Sequence, residues 1–385
     1  MTSPVPTPSA TPLPDASSLK AFKNAAAGHD GVLSDSSGSL LIKPCTPAEI
    51  AFYESAAAHP DFAAHMPTYM GTLTLGNENN VSPASIADPS STTSLKNTLI
   101  LDPNAGPIPS STPSTLSLPT PSGSAPVAWT PSSGAKIHTN SSIVLSNAAY
   151  GFRKPNILDV KLGARLWGDD APVPKRARLD EVAAETTSLP LGFRIAGMRV
   201  WNGDNEEGEQ GKKPQVSEED KDKKGNIVVE LDDGYRVYNK FYGRSFAPFD
   251  VRSGFREYLR MNDDISSKYG RPSRLLAGLF AARVKEIQET LEKEESRMYS
   301  ASLLFVYEGD KEAMIQKIED EGDVKERDEN MDSDEGEEAE AQQKFYDVKL
   351  IDFAHAQWVP SQGPDENALH GIRSVRSIFE ELADS

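Results

Sequence analysis

The sequence predicts a mixed fold of helices and strands, on three observations. "PNILDVKLG" (155–163) and "FYDVKLIDFAHAQW" (345–358) alternate apolar and polar residues with the period of two expected of a strand with one buried face. "RPSRLLAGLFAARVKEIQETLEKEESRMY" (271–299) sets Leu275, Leu276, Leu279, Val284, Ile287 and Leu291 along a helical stripe, and "DENALHGIRSVRSIFEEL" (365–382) does so with Leu369, Ile372, Val375, Phe379 and Leu382. "CTPAEIAFYESAA" (45–57) opens a further helix, with Thr46 as N-cap, Pro47 at the first position and Glu49 at the third.

Composition sets the boundaries. The chain has 385 residues, 40 basic against 58 acidic, for a formal charge of −18. Such a balance argues against direct nucleic-acid binding by the whole surface, but leaves room for a small anionic substrate because the acids are clustered. A single cysteine, Cys45, excludes an internal disulfide and a cysteine-built metal site and suits a reducing compartment. The first 20 residues lack a signal-peptide pattern, and no apolar run approaches the roughly 20 residues of a membrane span. A soluble, intracellular, monomeric protein is the expectation.

Low-complexity segments divide the chain. Ser, Thr and Pro dominate about 77–133, with room for one short strand in "NTLIL", and the N-terminal tail is similar. The runs 206–225 and 319–343 are acidic and poor in apolar residues, so they read as disordered inserts. Ordered sequence is expected at about 20–75, 136–202, 226–308 and 344–385.

The first block contains "AAGHDGVLSDSSGSLLIKP", in which Gly28, Gly31 and Gly38 punctuate two short extended runs. This is either an ordinary hairpin or one that closes over phosphates with Lys43 on its second strand. Glu49, just beyond, has two jobs available: closing the capping box of its helix, or pairing with Lys43. In "ILDVKLG", Leu158, Val160 and Leu162 share one face while Asp159 and Lys161 share the other, and Gly163 permits a turn or a close approach. The later strand ends on Asp352, and an aspartate closing an apolar strand is a recurrent holder of Mg2+ against phosphate oxygens. Taken together with the glycine hairpin, Asp159, Lys161 and Asp352 form a constellation suited to phosphoryl transfer.

On these residues the chain resembles the inositol polyphosphate kinase family. Pro155-x-x-x-Asp159-x-Lys161-x-Gly163 matches the family's signature, and "SASLLFVYEG" and "IDFAHA" resemble its two later motifs, in order. The likeness extends through "LIKPCTPAEIAFYE", "LGFRIAGMRVW", "KFYGRSF" and "DENALHGIRSVRSIFEEL", and is strongest to the fungal multikinase branch. It implies a two-lobed α+β fold, distantly related to protein kinases, with ATP between the lobes. The N-terminal lobe would take 20–147 with an insert at about 77–133. The C-terminal lobe would take 148–385, with an inositol-binding segment at about 164–190 and acidic inserts at about 203–225 and 310–343; a disordered tail would cover 1–19.

The resemblance also implies roles. Lys43 would contact the ATP phosphates with Glu49 as its partner, and Leu145 and Asn147 would belong to the hinge beside adenine, "SSIVLSNAAYGF". Ser146 stands where many relatives carry an acid. Asp159 would orient the attacking hydroxyl and act as, or assist, the base; Lys161 would reach the transferred phosphate; Asp352 would coordinate Mg2+. His355 would lie near the inositol phosphate.

Lys175, Arg176 and Arg178, within one turn at a helix start, supply the cations a polyanionic substrate needs. "PKRARL" also reads as a nuclear-import peptide, and both readings stand, so nucleus and cytoplasm are the expected locations. Only about 28 residues separate Gly163 from "LGFRIAGMR", a compact insertion that suits a multikinase acting on inositol trisphosphate and tetrakisphosphate. The alternatives are a hexakisphosphate kinase of the same family, or a transcription-linked scaffold whose disordered segments bind transcription factors. Phosphoinositide lipid is a further candidate partner.

Overall fold

Two antiparallel sheets hold most of the strands, and a computed structural model describes residues 19–22, 31–75, 99–100, 139, 141–203, 228–260, 270–318 and 344–385. The first sheet uses β1 (Lys20–Ala21), β2 (Leu33–Ser34), β3 (Leu40–Pro44), β4 (Tyr69–Leu75), β5 (Leu99–Ile100) and β6 (Ser141–Ser146), in the order β1-β2-β3-β6-β4-β5. β2 and β3 form the glycine hairpin. Its turn is built by Asp35, whose carboxylate accepts from the amides of Ser37 (3.1 Å) and Leu40 (2.9 Å). Gly28 lies outside the described residues. Helices α1 (Pro47–Ser55) and α2 (Pro60–Ala63) follow β3.

Eight further strands are β7 (Pro155–Leu162), β8 (Phe193–Trp201), β9 (Val229–Asp232), β10 (Tyr235–Tyr238), β11 (Ser296–Met298), β12 (Ser302–Glu308), β13 (Tyr346–Ile351) and β14 (Ala356–Trp358). Six form a second sheet in the order β13-β12-β7-β8-β10-β9, and β11 pairs with β14. β7 is central, so both of its edges are paired, with β12 and β8. Leu158, Val160 and Leu162 are fully buried on the helical side, each contributing about 1.5–3 kcal/mol.

Around this sheet lie α3 (Val173–Ala184), α4 (Ser188–Leu191), α5 (Lys240–Arg244), α6 (Arg252–Tyr258), α7 (Gly270–Leu291), α8 (residues 311–318) and α9 (Glu366–Asp384). α7 and α9 cover the sheet through Phe280, Phe305 and Phe379, whose rings meet at 5.0–5.3 Å. The α9 stripe is buried as expected, while Leu275 of α7 is 44% exposed. One residue along a helix is a turn of about 100°, which puts Leu276 inside and Leu275 out.

One boundary is corrected. The acidic insert expected from about 310 begins with α8, because Ala313 and Met314 pack inward and Lys317 reaches the fully buried Glu308 at 3.6 Å. The tail before residue 19, most of the Ser/Thr/Pro segment and the remaining acidic runs lie outside the described residues. Among the described residues no helix is long and apolar enough to cross a membrane.

Candidate active site

A cleft opens between the two sheets. Leu41 and Leu145 line it from the first sheet, with Val32 just before β2, and Ile157, Leu304 and Ile351 line it from the second, so this part is an apolar slot fit for a flat ring. Its inner end is charged: Lys43, Asp159 and Asp352 line it together.

Lys43 projects from β3 and donates to Glu49 Oε1 and to Asp352 Oδ1, both at 2.8 Å. Glu49 is 1% exposed. Its backbone amide donates to Thr46 Oγ1 at 3.2 Å, but its carboxylate points to the lysine, which decides between the two readings of that residue. Burial disfavours the Lys43 ammonium, yet Asp352 and Glu49 outweigh it and raise its pKa above the ordinary value. Asp352 Oδ2 also faces Lys161 Nζ at 3.5 Å. Thus two lysines from different sheets meet on one carboxylate.

The backbone makes this meeting possible. Asp352 follows β13 with φ +67, a left-handed conformation that aspartate tolerates better than most residues and that ends the strand sharply. On β7 the register shifts between Asp159 and Val160, a bulge beside the site. Lys161 is held by a bond from Nζ to the Ser300 carbonyl, 2.8 Å. Gly163 has φ +99, and a Cβ there would fall 2.6 Å from Asn367 Nδ2 at the start of α9. Only glycine fits that crossing.

At the hinge, Leu145, Ser146 and Asn147 all line the cleft. The Ser146 hydroxyl accepts from the Thr68 amide at 2.8 Å. Asn147 Nδ2 donates to the Gly38 carbonyl at 2.7 Å and its Oδ1 accepts from the Ala149 amide at 3.0 Å, so these side chains tie the hinge to the hairpin and the next turn.

The cations expected to meet substrate do not act alike. Lys175 Nζ lies 3.4 Å from His355 Nε2, which joins those two residues beside the cleft. Burial, and then the charge of Lys175, lower the His355 pKa. Arg176 is turned elsewhere: its guanidinium donates to the carbonyls of Ala171 (2.6 Å) and Asp169 and stacks over Trp167. Arg178, three residues after Lys175, lies on the same side of α3 as Lys175. Two cations were missed in the sequence. Arg194 of β8 sits directly across from Lys161, and Arg244 ends α5 within electrostatic reach of both Arg194 and Arg178. Both belong to segments that had been recognised, "LGFRIAGMR" and "KFYGRSF", where nothing in the alternation marked the arginines as inward.

Among the described residues no three carboxylate, histidine or cysteine side chains gather as a metal cage. Asp352 alone fits a hard divalent cation that takes its other ligands from phosphates and water.

A family model described as inositol polyphosphate kinase matches residues 142–380. The inositol polyphosphate multikinase of Saccharomyces cerevisiae is 31% identical over 391 residues, spanning 94% of this chain and 97% of its own length. That of Schizosaccharomyces pombe is 26% identical, spanning 94% and 98%. Human inositol hexakisphosphate kinase 1 is 27% identical over only 63% of this chain and 52% of its own. A crystal structure of the inositol phosphate multikinase from S. cerevisiae, in complex with ADP and Mn2+, matches with a TM-score of 0.55 at 28% identity, covering 89% of this chain and 99% of that one.

Proposed function

The chain belongs to the inositol polyphosphate kinase family, and from that premise we propose that it is an ATP-dependent multikinase. It transfers the γ-phosphate of ATP to hydroxyls of inositol phosphates such as the trisphosphate and tetrakisphosphate. The observation that carries the reading is the meeting of Lys43 and Lys161 on Asp352, with Asp159 lining the same cleft.

Roles follow from position. The apolar slot takes the adenine ring, with Leu145 and the hinge main chain beside it. Lys43, aimed by Glu49, binds the nucleotide phosphates. Asp159 orients the attacking hydroxyl and accepts its proton, while Lys161 offsets charge developing on the phosphoryl oxygens. Asp352 would hold a divalent cation such as Mg2+, which would offset charge on the nucleotide phosphates. Lys175 and His355 bind the inositol phosphate.

Incubation of the purified protein with Mg-ATP and inositol 1,4,5-trisphosphate, followed by anion-exchange separation, tests this. More highly charged inositol products and an equivalent amount of ADP are expected. ADP release without any new inositol product would overturn the assignment.

A further inference from the structure

The charged groups of the cleft are distributed unevenly across the second sheet. In the order β13-β12-β7-β8, Asp352 stands just after β13, Lys161 lies on β7, and Arg194 lies on β8. Lys161 and Arg194 are direct cross-strand partners, so they share a face, and Lys161 stands between the carboxylate and the arginine. Two like charges directly opposite each other weaken a sheet unless something negative meets them.

The Arg194 guanidinium donates to Ser188 Oγ at 3.0 Å, and the carboxylate whose charge acts on it is Asp159 of the catalytic cleft. Arg244 joins it through close packing. α5 lies on β8 so tightly that a Cβ at Gly243 would run into the Ile195 carbonyl, which places the next residue, Arg244, beside Arg194. The Nε of Arg244 is buried and has no hydrogen-bond partner among the described residues. A buried guanidinium nitrogen left without an acceptor is costly, and an anion removes that cost. Arg178 approaches from α3, on the side of that helix that carries Lys175. Burial, then the charge of Arg244, bring the Arg194 pKa down to about 10 against the opposing charge of Asp159, and burial, then Arg178, lower that of Arg244 against the charge of Glu185.

We propose that Arg194, Arg244 and Arg178 form a second phosphate pocket of the substrate site, holding a ring phosphate of the inositol polyphosphate on the side of Lys161 away from Asp352. The inference rests on the kinase reading and extends it. A substrate then needs a phosphate that reaches this pocket while another ring hydroxyl faces Asp159. Arginine suits the task because its planar fork binds phosphate oxygens in pairs.

The test uses the full chain, with Arg194→Gln, Arg244→Gln and Arg244→Lys. Calorimetric titration with inositol hexakisphosphate reads the pocket directly, and steady-state kinetics with inositol 1,4,5-trisphosphate and ATP reads its use. About a tenfold weaker binding of the hexakisphosphate is expected for each Gln variant, with a similar rise in KM for the trisphosphate. KM for ATP should change less than twofold, and Arg244→Lys should recover part of the loss. Unchanged hexakisphosphate affinity in folded Arg244→Gln, or an equal rise in both KM values, would overturn the pocket. Arg244 ends a short helix, so its variant still decides the matter if Arg194→Gln fails to fold. Absence of turnover by the unsubstituted protein would sink the kinase reading instead, and the calorimetric comparison would still judge the pocket.

Discussion

The two ends of the cleft contrast in how their charges are balanced. At the end built from β3, α1 and the residue after β13, each cation has a carboxylate: Lys43 with Glu49 and Asp352, Lys161 with Asp352. At the other end Arg194 and Arg244 crowd together, and the opposing charges of Asp159 and Glu185 do not outweigh burial and mutual repulsion, so both pKa values stay lowered. The first end is set before any ligand arrives. The second holds repulsion that a polyanion relieves, so binding there gains from removing a cost already present.

Substitutions should expose this difference, beginning with the largest effect. Asp159→Asn should lower kcat about a thousandfold or more, because the carboxylate that receives the proton is lost while the side-chain shape is kept. Near-normal turnover with an unchanged Tm would remove Asp159 from the mechanism. Lys43→Met should reduce kcat/KM for ATP on the order of a hundredfold, and should also lower stability by about 3 kcal/mol, since Glu49 would be left as a buried charge without its lysine. An unchanged Tm for that variant would show that Glu49 is satisfied without it.

Gly163→Ala probes the backbone that carries both ends. The strained φ and the contact with Asn367 should cost about 1–3 kcal/mol, read as a Tm lower by several degrees. The smallest effect has the opposite sign. Arg244→Gln should raise the Tm of the ligand-free protein by an amount equivalent to about 0.5 kcal/mol, because one member of a like-charged group is removed. A fall in Tm would mean that the arginine cluster is already balanced, and the contrast between the two ends would collapse.

The paired end was largely legible in the sequence. Asp159 and Lys161 lie on a strand whose alternation shows the face they share, while Asp352, which alternation would set beside the buried Val348 and Leu350, is turned into the cleft by its left-handed backbone just after β13; local chemistry narrowed Glu49 to two roles, of which the packing of α1 selects one. The open end was less legible. Arg194 occupies a strand whose neighbours point both ways, and Arg244 is brought to it by a backbone contact at Gly243 that joins residues 48 positions apart. Proximity of that kind leaves no periodic trace. Arg176 is the reverse case: adjacent to Lys175 in sequence, it is rotated about 100° from it on the helix, so a basic run could not all face one ligand. α8 was hidden by acidic composition, although Ala313, Met314 and Ile318 had the spacing of a helix turn.

The ion pair between Lys43 and Asp352 joins residues 309 positions apart. During synthesis at about 5–20 residues per second, the lysine would leave the ribosome roughly 15 to 60 seconds before its second carboxylate is made. β7 faces a shorter delay of the same kind, since its neighbour β12 comes well over a hundred residues later. The nascent protein therefore displays its apolar central strand with one edge open until most of the chain exists. The phosphate-handling end of the cleft is closed only by the last strands to emerge, which leaves an interrupted chain unable to assemble both sides of it.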